Sequence, residues 1–179
     1  AILQPTYLTE WYREGFNTTE RNAALGARHP GTFIANTRWD PRDGEAGLDL
    51  LRENVARYGS RGVKLYTAEW REGSRGWTLK DPEAYRYLEV CGELGITNIH
   101  VHKGPTIWPL NKDAFSMEDV DQVATDFPEL NFIVEHVGLP EAQLNLSQAA
   151  IHLATAPKSN RAALAIWNAR SAVREGVVG

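Results

Sequence analysis

A single cysteine, Cys91, is all that this 179-residue chain offers in thiol chemistry. No internal disulfide can form, and no thiolate cluster can hold a metal. Cys91 falls in a helical pattern beside Leu88, Val90 and Leu94, which reads as a buried, inert thiol. Positive charge is also short: 19 Lys and Arg against 23 Asp and Glu leave a net charge of −4, and no basic tract stands out. That balance argues against nucleic acid and anionic membrane as partners. No stretch approaches the roughly 20 apolar residues that span a bilayer, and the N-terminus lacks a basic segment followed by an apolar one. A cytoplasmic protein is expected. Missing too are a Gly-x-Gly-x-x-Gly after a strand, a Gly-Lys-Ser/Thr phosphate loop and a Gly-x-Ser-x-Gly elbow. Dinucleotide, nucleoside triphosphate and serine hydrolase chemistries lose support accordingly.

What is present is enough apolar material for one ordinary core: 42% apolar residues, with Trp 6, Tyr 6 and Phe 5. Strands are predicted to start near 32, 62, 97 and 131, at intervals of 30, 35 and 34 residues. Helices fill the gaps. Thr18 caps one running to Arg28; Leu48, Leu51, Val55 and Tyr58 follow helical spacing; Asp81-Pro82 opens a third that Gly95 stops; Val120, Val123 and Ala124 mark a fourth. This alternation predicts a parallel sheet with right-handed crossovers, its strands apolar on both faces. Four clear strands fit either a small open sheet or part of a barrel, since a complete eight-stranded barrel takes about 250 residues. After Pro140 the alternation stops, and 144–154 and 160–174 read as two helices split by Pro157.

His102 and His136 each close a short apolar run, 34 positions apart, and each is followed two residues later by glycine. One strand–loop–helix repeat separates them, so both imidazoles can emerge at the same rim of a parallel sheet. Neutral imidazole is the commonest zinc ligand, and a catalytic site usually has three protein ligands with one position left for water. The plainer alternative for His102 alone is a core histidine bonded to backbone. His100 shares the strand face of His102 and should sit deeper, in a supporting role. Lys64, mid-strand among apolar neighbours, needs a partner. It could bind a substrate carboxylate, bridge metals if carbamylated, or pair with a strand neighbour such as Glu135. By alternation Glu135 points away from His136, which makes it a poor metal ligand. Trp70, Trp77 and Trp108 follow strands and either line a pocket or cover the core. His29 and His152 read as surface or capping residues.

Four tracts in order, Gly62-Val63-Lys64-Leu65-Tyr66, Trp77-Thr78-Leu79-Lys80-Asp81-Pro82, Val101-His102-Lys103-Gly104 and Glu135-His136-Val137-Gly138, resemble the amidohydrolase-related family of metal-dependent hydrolases. The closest branch is that of aminocarboxymuconate-semialdehyde decarboxylase and related aromatic acid decarboxylases. The resemblance covers residues 1–140. It implies an α/β fold, a partial (β/α)8 TIM barrel of about four to five βα units, with a divergent helical tail at 141–179. It implies a divalent metal, expected to be zinc, with His102 as the fifth-strand ligand. His136, after the sixth strand, would ligate metal or act as the catalytic base, and Lys64 and Trp108 would bind a small carboxylate-bearing substrate.

The family's first-strand His-x-His or Glu-x-His has no counterpart, because no histidine precedes His29, and no aspartate follows Asp126 to serve as the eighth-strand ligand. An internal piece of such an enzyme is therefore expected, inactive alone, with residues 141–179 divergent or read out of the ancestral frame. The competing reading is a non-catalytic half-barrel that binds partners or self-associates through open sheet edges.

Overall fold

The computed structural model describes residues 1–9, 12–104 and 109–136. The helices predicted at 144–154 and 160–174, the tail at 141–179, His152 and Trp108 lie outside the described residues.

Among the described residues, β3 (Thr37–Arg38), β4 (Gly62–Tyr66), β5 (Asn98–His102) and β6 (Asn131–Glu135) form one sheet in sequential order, every pair parallel. Each connection is a helix: α2 (Gly44–Tyr58), α3 (Pro82–Glu93) and α4 (Glu118–Asp126). A parallel neighbour can be reached only by such a crossover, and the spacing in the sequence is set by it. The strand predicted at 32–37 is two short pieces. β2 (Ile34–Ala35) pairs with β1 (Ile2–Leu3), and after Asn36 the chain continues as β3 on β4. Asn36 joins the two pairings, donating its backbone N–H to the Leu3 carbonyl at 3.1 Å.

The helices form where caps and spacing allow. Thr18 accepts from the Arg21 N–H at 3.3 Å and starts α1 (Thr19–Arg28). Asp81 departs from its predicted role. Its carboxylate accepts from the Thr78 N–H at 3.0 Å and the Thr78 hydroxyl at 2.8 Å, bracing the turn before α3 rather than capping it. Pro82 and the Asp81 carbonyl, which accepts from Ala84 and Tyr85, begin that helix.

One side of the sheet builds the core. Val63, Leu65, Ile99 and Val101 are fully buried, together with Leu48 and Leu51 of α2, Leu88 and Cys91 of α3, and Val123 of α4. Trp39 closes the cluster, stacked on Trp77 at 5.5 Å and against Tyr87 at 4.9 Å, its indole N–H donating to Cys91 Sγ at 3.3 Å. Trp77 therefore covers the core, while Trp70 is exposed. The other side overturns the expectation of strands apolar on both faces. Lys64, Tyr66, His100, His102 and Glu135 occupy it, in phase with one another. The apolar residues interleaved with it hide this alternation in the sequence: His100 sits between Ile99 and Val101, and Lys64 between Val63 and Leu65.

Candidate metal centre

Register places the chemistry. Tyr66 aligns with His102, and His102 with Glu135, at the C-terminal ends of three neighbouring strands. One level deeper, Arg38 aligns with Lys64 and Lys64 with His100. Side chains at these positions share a face because alternation has period two.

His136 joins them through a backbone feature the sequence does not advertise. Its φ is +57°, left-handed and uncommon for a residue with a Cβ. The strand ends at Glu135, and the turn brings the next side chain back to the same side. The His102 and His136 rings lie with centroids 4.9 Å apart. Glu135 and His136 thus converge, and the expectation that they diverge is corrected: alternation stops where the extended backbone stops. One donor atom from each of His102, Glu135 and His136 falls within 4.8 Å of the other two.

Glu135 already has company. Lys64 Nζ is paired with Oε2, while His100 Nδ1 lies 3.0 Å from Oε1 and Gln4 Nε2 donates to Oε1 at 3.1 Å. Lys64 thus has a cross-strand partner in Glu135, one of the alternatives its mid-strand position allows. Burial pushes the Lys64 ammonium down to about 8. It also lowers His100, with the Lys64 charge adding to the effect. His102 falls to about 4, chiefly through burial, then through Lys64 and His136. The imidazole is therefore neutral near pH 7, the form that ligates metal.

Two observations bear on whether these residues suit a metal. His102 Nδ1 is buried without a hydrogen-bond partner among the described residues, an expensive condition unless something fills it. Beside Nε2, a Cβ on residue 104 would lie only 2.5 Å away, and Gly104 leaves that space open. Two imidazoles and a carboxylate make the three-ligand set typical of catalytic zinc. Donor atoms around tetrahedral zinc stand about 3.4 Å apart, given bonds of about 2.1 Å, so the three side chains need to close by no more than about 1.4 Å. The residues fit such an ion.

The family model for amidohydrolases matches residues 1–172. The chain belongs to the amidohydrolase family. An uncharacterised TIM-barrel protein from Bordetella bronchiseptica is similar in structure, with TM-score 0.56 and 20% identity, over 78% of this chain and 47% of that one. The 2,6-dihydroxybenzoate decarboxylase from Rhizobium follows, with TM-score 0.51 and 18% identity, over 65% of this chain and 42% of the other. These likenesses show the fold: this amidohydrolase chain forms part of a TIM barrel. Among curated proteins, an uncharacterised AAA domain-containing protein of Mycobacterium tuberculosis is 51% identical over 43 residues, 24% of this chain and 10% of that protein. An uncharacterised Thermotoga maritima protein is 30% identical over 123 residues, 66% of this chain and 19% of its own length. The chain thus spans no more than a fifth of either curated relative.

Sequence reasoning missed other residues of this amidohydrolase face. The Tyr66 ring packs on His102 at 5.0 Å, and its hydroxyl lies 2.5 Å from the Thr6 hydroxyl. Arg38 lies over Tyr7 at 5.1 Å and Tyr66 at 5.8 Å, donating to Glu69 at 2.8 Å. It lines a rim cavity of about 290 Å³ with Tyr7, Asp40, Asn54, Glu69 and Arg71. Only the even spacing of Arg38, Lys64 and Tyr66 from their strand ends could have signalled these, and strand ends are hard to place from sequence.

Proposed function

We propose that this chain is the metal-bearing part of an amidohydrolase-family enzyme, acting by hydrolysis or decarboxylation on a small carboxylate-bearing organic substrate. The observation that carries the reading is the convergence of His102, Glu135 and His136 at one strand-end level. His102 and His136 would hold the ion, with Glu135 as third ligand. A bound divalent metal, zinc by its donor preference, polarises a substrate oxygen and acidifies water to a pKa of about 7.

The protein's own groups divide the remaining work. His102, neutral by burial, keeps a lone pair free for a cation. His136 is exposed; on the ion its lone pair is engaged, and only off the ion could it instead take or return a proton at the reacting atom. Glu135 stands between two cationic claims, Lys64 and the metal. Turned toward the metal it leaves the Lys64 ammonium uncompensated, and a substrate carboxylate restores the balance. Trp108, near this rim in sequence, would supply an apolar wall for the substrate. The decarboxylase among the structural neighbours acts on a carboxylated aromatic ring, as its name states, and supports this class of substrate by likeness of fold alone.

Equilibrium dialysis against zinc, followed by metal analysis, tests the reading. One ion per chain, held about a hundredfold more weakly in both His102→Ala and His136→Ala, is expected. No retention by the intact chain would overturn it.

A second reading, an interaction module, is favoured by the edge pair β1–β2, where Ile2 and Ile34 lie in register and exposed. Concentration-dependent self-association in sedimentation, abolished by Ile34→Lys, is its expected mark.

A further inference from the structure

Lys103 follows His102 and, by alternation, turns to the opposite side of the sheet, where the layer is otherwise apolar. It is wholly buried there. Its Nζ donates to Asp119 Oδ2 at 2.7 Å and to the Ala114 carbonyl at 2.9 Å. Asp119 is buried as well, on the first turn of α4, and the same Oδ2 accepts from the Leu79 N–H at 2.9 Å. Thr67, just past β4, adds a second donor to the Ala114 carbonyl at 2.7 Å. The pair thus ties together the loops that leave β4 and β5 and the helix that leads into β6.

A buried ion pair is a poor way to gain stability, because desolvation offsets its attraction, and apolar residues of similar volume often serve as well. Its position suggests what it does instead. The Lys103 N–H donates to the Glu135 carbonyl at 2.8 Å, fixing the backbone immediately before His136. On its other side, Gly104 passes so close to His102 that a Cβ would sit 2.5 Å from Nε2. One residue therefore holds the backbone between His102 and Gly104 and clamps the end of the strand that presents Glu135 and His136.

We propose that the Lys103–Asp119 pair is a positioning device for the metal-binding imidazoles, locking the ends of β5 and β6 at the spacing His102 and His136 require. Neither residue touches the ion. Both act through the backbone that carries its ligands. The inference rests on the metal reading proposed above and extends it to residues on the opposite side of the sheet.

The test is the full chain carrying Lys103→Met with Asp119→Asn, which removes both charges and leaves an amide oxygen for the Leu79 N–H. Cobalt(II) titration followed by visible absorption is expected to show binding at least tenfold weaker than wild type, with a thermal midpoint unchanged within a few degrees. Side-chain NMR of the metal-free imidazoles should show one sharp set of signals for His102 in wild type and broadened or doubled signals in the variant. Equal cobalt affinity together with unchanged imidazole signals overturns the inference and leaves the metal reading intact. If wild type takes up no cobalt, the metal reading fails, and the imidazole signals alone decide the positioning role. Should the double variant unfold, Lys103→Gln with Asp119→Asn, which removes both charges without stranding either, carries the same two measurements, with the same results for and against.

Discussion

The two faces of the β4–β5–β6 sheet are made by alternate residues of the same short strands, yet they follow opposite rules. Val63, Leu65, Ile99 and Val101 are fully buried in one apolar cluster with the helices and with Trp39 and Trp77. Lys64, Tyr66, His100, His102 and Glu135 are held by charge, hydrogen bonds and ring contacts. The first face can be filled by any apolar residues of suitable volume. The second is specific atom by atom, since each buried polar group must find a partner or leave one orphaned. Period two lets one strand do both, so mutations one residue apart should fail in different ways.

The largest expected effect lies on the apolar side. Leu65→Ala should lower unfolding free energy by about 3 kcal/mol in urea, while metal affinity of the folded protein stays within about twofold. A comparable loss of metal binding would merge the two faces. Next, Glu135→Gln strands the Lys64 ammonium in a buried setting and should cost about 2 kcal/mol, whereas Lys64→Met with Glu135→Gln should recover most of that loss. Lys64→Met alone releases Glu135 and should tighten zinc binding about tenfold by calorimetry, a gain of about 1.4 kcal/mol. His102→Ala is expected to weaken zinc about a hundredfold while changing stability by under about 1 kcal/mol, because it deletes an unpaired Nδ1 along with the ring. The smallest disturbance comes from Cys91, whose burial pushes the thiol up to about 12. Iodoacetamide at pH 9 should label it at least about a hundredfold more slowly in the native chain than in urea. Rapid native labelling would mean that the apolar layer opens.

Much of this was legible in the residues. Gly, Pro and Asp-Pro breaks at intervals near one βα repeat gave the parallel order, since each crossover helix needs that length. His102 stood out because a histidine ending an apolar run is unusual in a core. The strand over 32–37 was harder: Asn36 splits it, and one polar residue gives little warning that pairing passes from β1 to β4. Glu135 departs from its expected orientation for a local reason. Alternation predicts orientation only while the backbone is extended, and a non-glycine φ of +57° at His136 carries no compositional signal. Lys103 and Asp119 stand 16 residues apart in sequence, and only the packing of α4 on the sheet brings them together. The polar face itself was masked by the apolar residues interleaved with it.

Zinc K-edge X-ray absorption on the metal-loaded chain tests the central claim most directly, because it counts ligands by atom type. Two imidazoles with oxygen completing the shell, at bond lengths of about 2.0–2.2 Å, are predicted, falling to one imidazole in His136→Ala. A shell of oxygen alone, or two imidazoles unaltered by that substitution, would contradict the assignment of His102, Glu135 and His136 to one centre.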